Sequence, residues 1–320
     1  METNSKIVEA AKKLIVNCMG TQKDEALLIV ADEKTSELGY SFAVAGRECG
    51  FQTTYVEAPA QTKGEPPVPV AAAMEAADVE FLLTSMSYSH VKARVAATEK
   101  GVRVASMPML TTHIAENFLD ADYPYIQKVS VQLADLLTKG KTVRAVTEKG
   151  TDVTFAIDGR VAVADTGQLT EKGAMGNLPA GEAFVAPLEN AGDGKIVIDG
   201  CIAYLGPVKD DVVLTLKDGN IISIEGGESA DDLKKFLEDK DGESKGIAEF
   251  GIGTNPGAEI IGHPLVDEKV WGTIHIAFGM NATIGGVRES NIHYDCIIKE
   301  PTVWIDDVKI MDKGEHIALK

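Results

Sequence analysis

The sequence predicts an α/β N-terminal domain with a mostly parallel sheet over residues 1–140. It is joined to a mainly antiparallel, β-rich (α+β) C-terminal domain over 141–320 that carries candidate metal ligands. Three observations predict this. In the first half, short apolar runs alternate with segments of helical period, the pattern of a parallel sheet covered by helices. In the second half, three Asp-Gly pairs (Asp158-Gly159, Asp199-Gly200 and Asp218-Gly219) interrupt β-rich runs, and Asp-Gly suits the tight hairpin turn in which both central residues need positive φ. Four of the six histidines, His263, His275, His293 and His316, lie from residue 263 onward.

In chain order, Ile7 to Cys18 has apolar residues at helical spacing, and Ala26 to Val30 is a continuous apolar run of the kind buried on both faces of a sheet. Thr35 to Gly50 reads as a helix capped by Gly50, and Phe51 to Glu57 as a strand. After Pro66, Pro67 and Pro69 come a short helix at Val70 to Ala76, a strand at Val79 to Leu83, a helix at His90 to Lys100, a strand at Val102 to Ser106 and a longer helix at Asp120 to Thr138. Beyond residue 140 the chain is strands and turns, interrupted by one helix at Ala230 to Glu238.

The formal net charge of -18 makes the chain a poor nucleic-acid binder, because phosphate contacts need clustered Lys and Arg. Cys18, Cys49, Cys201 and Cys296 are scattered, with neither a C-x-x-C pair nor a disulfide framework. The start METNSKIVEA has no apolar core for a signal peptide, and no run approaches the length of a membrane span. The expectation is a cytoplasmic protein with no membrane partner. Nucleotide binding is also opposed. The turn Ala31-Asp32-Glu33-Lys34-Thr35 lacks glycines and carries carboxylates, and Gly251-Ile252-Gly253-Thr254-Asn255-Pro256-Gly257 has the wrong spacing for a dinucleotide loop.

The chemistry concentrates in Gly272 to Asp295. On a strand, His293 and Asp295 share one face, and His275 lies nearby. Glu249, in GIAEFGIG, and Glu182, in NLPAGEAFVAP, sit among apolar and small residues, where a carboxylate is costly unless paired or bound to a cation. Two Glu, two His and one Asp together suit two ions such as zinc, manganese or cobalt, about 4 Å apart.

NLPAGEAFVAP, GIAEFGIGTNP, VDEKVWGTIHIAFG and SNIHYD, in that order, resemble the thermophilic metallo-aminopeptidases of the aminopeptidase T / leucyl aminopeptidase type. The resemblance covers nearly the whole chain. It implies a two-metal site held by Glu182, Glu249, His275, His293 and Asp295. Glu249, or failing that Glu268, would be the general base acting on a metal-activated water that releases N-terminal residues from short peptides. It also implies a homodimer. The chain departs from that family at Ala282, where typical members carry a tyrosine, and at Asp267-Glu268-Lys269, where they carry Asp-Glu-Asn.

The alternative on the same scaffold is a dihydroxypyridine ring-cleaving dioxygenase using one iron, for which His275, His293 and Asp295 would suffice. A third reading is a binding protein without chemistry. His90 and Arg288 are considered as substrate contacts, Trp271 and Trp304 as core or interface fillers, and Gly279 to Gly286 as a turn or a flap.

Overall fold

The computed structural model describes residues 3–317, so Met1, Glu2 and the last three positions of the ranges above lie outside the described residues. The chain forms two compact units. The first comprises residues up to Tyr123 together with Gly167–Pro179. Its sheet is parallel throughout, in the order Gln52–Ala58, Ala26–Asp32, Val79–Leu83, Arg103–Ser106, Met175–Asn177. The apolar run that starts at Ala26 is buried from Leu27 onward, as a strand covered on both faces must be. The helix expected from Ile7 runs over Ser5–Lys13 and ends in a wider turn, Leu14–Cys18, where Met19 N–H donates to Leu14 O. The helix Ser36–Glu48 is followed by Gly50 at φ 77°, the left-handed residue that ends it. Asp32 is committed to structure, since its carboxylate accepts from Lys34 N, Ser85 N and the Ser85 hydroxyl.

The second unit comprises Pro124–Thr166 and the chain from Ala180 onward. The division thus falls after Tyr123 and not at residue 140. The helix Tyr123–Lys139 places Val129, Leu133 and Leu137 in the core of the second unit. Gly167–Pro179 returns to the first unit because its three-residue strand completes the parallel sheet, a segment too short to leave a periodic signal.

Two antiparallel sheets, of eight and seven strands, make up the second unit. Their facing sides share one apolar core: Val143, Phe155, Ile196 and Leu214 from the larger sheet meet Phe250, Ile252, Ile276 and Phe278 from the smaller. Phe155 and Phe250 meet with ring centroids 5.2 Å apart. Each such side chain, fully buried, contributes roughly 1.5–3 kcal/mol. Among the described residues no helix is long and apolar enough to cross a membrane.

Only one of the three Asp-Gly pairs closes a hairpin. Lys217 pairs with Asn220 across Asp218 and Gly219, whose φ angles are 48° and 70°. The other two pairs carry the chain between sheets. The strands Asp152–Ala156 and Gly192–Ile198 lie in the larger sheet, while the strands that follow their turns, Val163–Asp165 and Cys201–Ile202, lie in the smaller. Asp-Gly sets local backbone conformation, and burial selects the partner strand. After Gly200 the chain pairs Ile202 with Cys296, and Asp199 Oδ1 accepts from Lys299 N.

Gly219→Ala is expected to lose about 2–4 kcal/mol, from left-handed strain together with a Cβ that would sit 2.1 Å from Glu189 O. Gly159→Ala has a similar φ but nothing within 4 Å, and is expected to lose only about 1–2 kcal/mol. Urea denaturation midpoints of the two variants check this, and equal losses would contradict it.

Candidate metal centre

The smaller sheet builds the centre on the face opposite the shared core. Cross-strand pairing sets Gly253 beside Glu182, Gly251 between Phe184 and His275, Ala277 between Glu249 and Asp295, and Gly279 beside His293. Paired residues of antiparallel strands point the same way, so Glu182, Glu249, His275, His293 and Asp295 share one face. The positions between them are Gly251, Gly253, Ala277 and Gly279, which clear space for the longer side chains. A Cβ on Gly251 would lie 1.9 Å from His275 Nε2. The first three residues of the glycine-rich stretch that looked like a faulty dinucleotide loop, Gly251 to Gly253, are therefore the end of the strand Ile247–Gly253.

Ligand atoms of Glu182, Glu249 and His275 lie within 4.8 Å of one another. His275 Nε2 is 3.2 Å from Glu249 Oε1 and 3.2 Å from Glu182 Oε2. His293 Nε2 is 3.7 Å from Glu249 Oε2 and 3.6 Å from Asp295 Oδ1. Glu249 is thus the shared member, with one oxygen toward each imidazole. His293 Nδ1 donates to Met280 O at 2.7 Å, which turns Nε2 toward the carboxylates in the way second partners orient metal-binding histidines.

These residues fit a divalent ion on three counts. Glu182 Oε2, which faces His275 Nε2, is buried and makes no hydrogen bond. Gly251 leaves the His275 ring its cradle. The donor set, carboxylates with imidazoles, is that of a borderline divalent cation.

Glu268 is not drawn into this group. Its Oε1 lies 2.6 Å from Lys269 Nζ, which also contacts Glu182 Oε1 at 2.5 Å and Asp165 Oδ2 at 3.2 Å. Asp267 accepts from Ile261 N and Gly262 N and shapes the turn before it. Lys269 and Asp165 are the two residues of the cluster that sequence reasoning missed. Asp-Glu-Lys reads as a solvated charge run, yet the Lys269 side chain is only 2% exposed. The one available signal was an excess of carboxylates in apolar settings without a countercharge.

The other sequence candidates lie outside this cluster. Arg288 is buried against Glu243 and donates to Glu189 O. His90, in the first unit, is exposed. Trp271 packs edge-on against His316, with ring centroids 4.1 Å apart. The Gly279 to Gly286 turn is pinned by Asn281, whose Oδ1 accepts from Arg288 N and whose amide reaches Glu189. Ala282 is exposed within it.

The electrostatics follow from burial among unlike charges. Burial opposes a charged His275, but the Glu249 hydrogen bond and the charges of Glu182 and Asp295 outweigh it and raise it to about 9. Burial likewise opposes a charged His293, but the neighbouring carboxylates of Asp295, 3.6 Å away, and Glu249 raise it to about 10. Against burial, His293 and the other cations hold Asp295 well below the usual carboxylate range. Burial pushes Glu182 up to about 8, against the pull of Lys269 and His275. Burial works against the Lys269 charge too, but Glu182, Glu268 and Asp165 keep it well above the ordinary lysine value.

Both imidazoles are therefore protonated at neutral pH in the metal-free protein, and a metal must displace those protons. Affinity is expected to rise with pH up to about 9, by about tenfold to 100-fold per pH unit for one or two protons released. Competition against a chelating dye at pH 6, 7 and 8 checks this; a flat profile contradicts it. The metal-free protein should show the opposite trend: stability contributed by the raised imidazoles is present below about 6.5 and lost as pH rises through about 9 to 10.

A family model described as NicX: 2,5-dihydroxypyridine 5,6-dioxygenase matches residues 6–318. The chain belongs to this family. The aminopeptidase resemblance read from the sequence therefore reached the scaffold but named a neighbouring family. The chain is 24% identical over 196 residues to a 2,5-dihydroxypyridine 5,6-dioxygenase of Pseudomonas putida, covering 57% of this chain and 56% of that protein. It is 24% identical over 188 residues to aminopeptidase AmpS of Bacillus subtilis, covering 53% and 46%. These matches span about half the length of the curated relatives.

Among solved structures, the 2,5-dihydroxypyridine dioxygenase of Pseudomonas putida KT2440 superposes with a TM-score of 0.83 at 18% identity, over 98% of each chain. Wild-type AmpT of Thermus thermophilus superposes with a TM-score of 0.71 at 16% identity, over 98% of this chain and 99% of that one. Both likenesses establish the fold, including the α/β and antiparallel parts expected from the sequence.

Proposed function

We propose that this protein is a mononuclear non-haem iron dioxygenase that cleaves a dihydroxypyridine-type ring. The observation that carries this reading is the donor set of His275, His293 and Asp295 on one sheet face around Glu249, in a chain matching the dioxygenase family along residues 6–318. Two imidazoles and a carboxylate with open positions are the set used by iron(II) oxygenases. Iron held there supplies the redox chemistry for adding dioxygen across a ring bond.

The protein's own residues hold the ion and manage protons. His275, His293 and Asp295 are the proposed ligands. Glu249 lies between the two imidazoles and is the proposed acceptor for a ring hydroxyl proton. The exposed Ala282 supplies no hydroxyl of the kind the aminopeptidase reading uses to stabilise a tetrahedral intermediate.

The second reading, a metallo-aminopeptidase, is supported by the proximity of Glu182, Glu249 and His275 and by the AmpS and AmpT relatives. One experiment separates the two. Protein reconstituted with iron(II) is given 2,5-dihydroxypyridine in an oxygen electrode, and protein with zinc, cobalt or manganese is given an aminoacyl and dipeptide panel. Oxygen uptake matching loss of the ring absorbance supports the dioxygenase. Peptide cleavage without oxygen uptake overturns it.

A further inference from the structure

Among the described residues Lys269 is the one ammonium in the cluster, and its surroundings define its role. Its side chain is 2% exposed, and Nζ reaches Glu182 Oε1 at 2.5 Å, Glu268 Oε1 at 2.6 Å and Asp165 Oδ2 at 3.2 Å. An ammonium has three donors, and here each has a carboxylate acceptor. Glu182 is divided between two neighbours: Oε1 is taken by Lys269, while Oε2 faces His275 Nε2 at 3.2 Å. A metal bound at Glu182 Oε1 would have to share that oxygen with an ammonium already in contact with it, where like charges repel strongly in a dry site.

The other side of the cluster differs. Glu249, His275, His293 and Asp295 approach one another with no lysine or arginine within salt-bridge distance among the described residues. Among the described residues the face therefore has one end already filled by a covalently tethered ammonium and one end with metal-ligating side chains and no lysine or arginine, whose imidazole protons a metal can displace.

We propose that Lys269 acts as a fixed second cation, holding Glu182, Glu268 and Asp165 and excluding a second metal, so that the site takes one divalent ion per chain. This rests on the reading of the face as a metal centre, and it makes the lysine the residue that sets metal count. A short unbranched side chain without charge at this position would free the three carboxylates for a second ion.

The test is the stoichiometry of manganese(II), a divalent ion that does not oxidise during titration, measured by calorimetry and by elemental analysis after gel filtration. The native chain is expected to saturate at one ion, Lys269→Arg at one, and Lys269→Met at two. Should Lys269→Met fail to fold, Lys269→Gln, whose amide still donates to the carboxylates, is titrated in its place with the same expectation of two. Two ions in the native chain, no ion in the native chain, or one ion in a folded neutral variant would each overturn the proposal. The outcome is independent of turnover. One ion without ring cleavage sinks the dioxygenase reading alone, and two ions with ring cleavage sink the role of Lys269 and the one-ion count while leaving ring cleavage standing.

Discussion

Gly251→Ala is expected to lower metal affinity by about 10-fold to 100-fold, because it displaces a ligand without removing one. The added Cβ would lie 1.9 Å from His275 Nε2 and 2.1 Å from Cε1, so the ring must leave its position. His275 is fully buried, and its cross-strand neighbours are Gly251 and Ile297. A rotated ring therefore enters packed space, and the variant should also lose roughly 1–3 kcal/mol of stability, the usual penalty of overpacking. Metal titration and urea denaturation of the same preparation check both parts. Native affinity in Gly251→Ala would show that the His275 ring is not held where the sheet puts it.

The second large effect is on stability without metal. Lys269→Met is expected to destabilise the metal-free protein by about 3–5 kcal/mol, the loss seen when one partner of a buried ion pair is removed. Methionine nearly preserves the volume, so the loss is electrostatic: Glu182, Glu268 and Asp165 keep their burial and lose their shared counterion. The pH dependence has a definite sign. A buried carboxylate whose folded value is raised binds its proton more tightly folded than unfolded, so stability falls as pH climbs from the ordinary value near 4.5 to the raised one. Burial already raises Glu182 to about 8 and Glu268 to about 7, and removing the ammonium raises them further. The deficit of Lys269→Met should therefore be smaller at pH 5 than at pH 9, growing as pH rises through about 7 to 8 and above. Equal deficits at both pH values would indicate a packing defect instead.

Much of this was legible in the residues. Alternation of apolar runs and helical segments gave the parallel sheet of the first unit, since a strand buried on both faces must be apolar throughout. The period of two put His293 and Asp295 on one face, and their carboxylate and imidazole neighbours came from residues set in apolar surroundings. What was illegible depended on long-range pairing. Asp158-Gly159 and Asp199-Gly200 have the same local chemistry as Asp218-Gly219, and only the burial of the strands that follow decides whether the chain turns back or crosses to the other sheet.

Lys269 illustrates the same limit in the site. Beside Asp267 and Glu268 in sequence it looks solvated, and its counterions Asp165 and Glu182 come from strands distant in the chain. Gly251 and Gly253 show the converse case. Their apparent loop signature came from a strand that needs small residues, one to clear the His275 ring and the other because a Cβ would meet Val270 O at 2.0 Å.

One ion is expected on this face, between the two imidazoles and away from the lysine. Anomalous diffraction from crystals of the iron- or manganese-loaded protein tests it most directly. A single peak per chain bounded by His275, His293, Asp295 and Glu249, with none beside Lys269, is the expected result. Two peaks on the face, or a peak held elsewhere with these four side chains unligated, would contradict it.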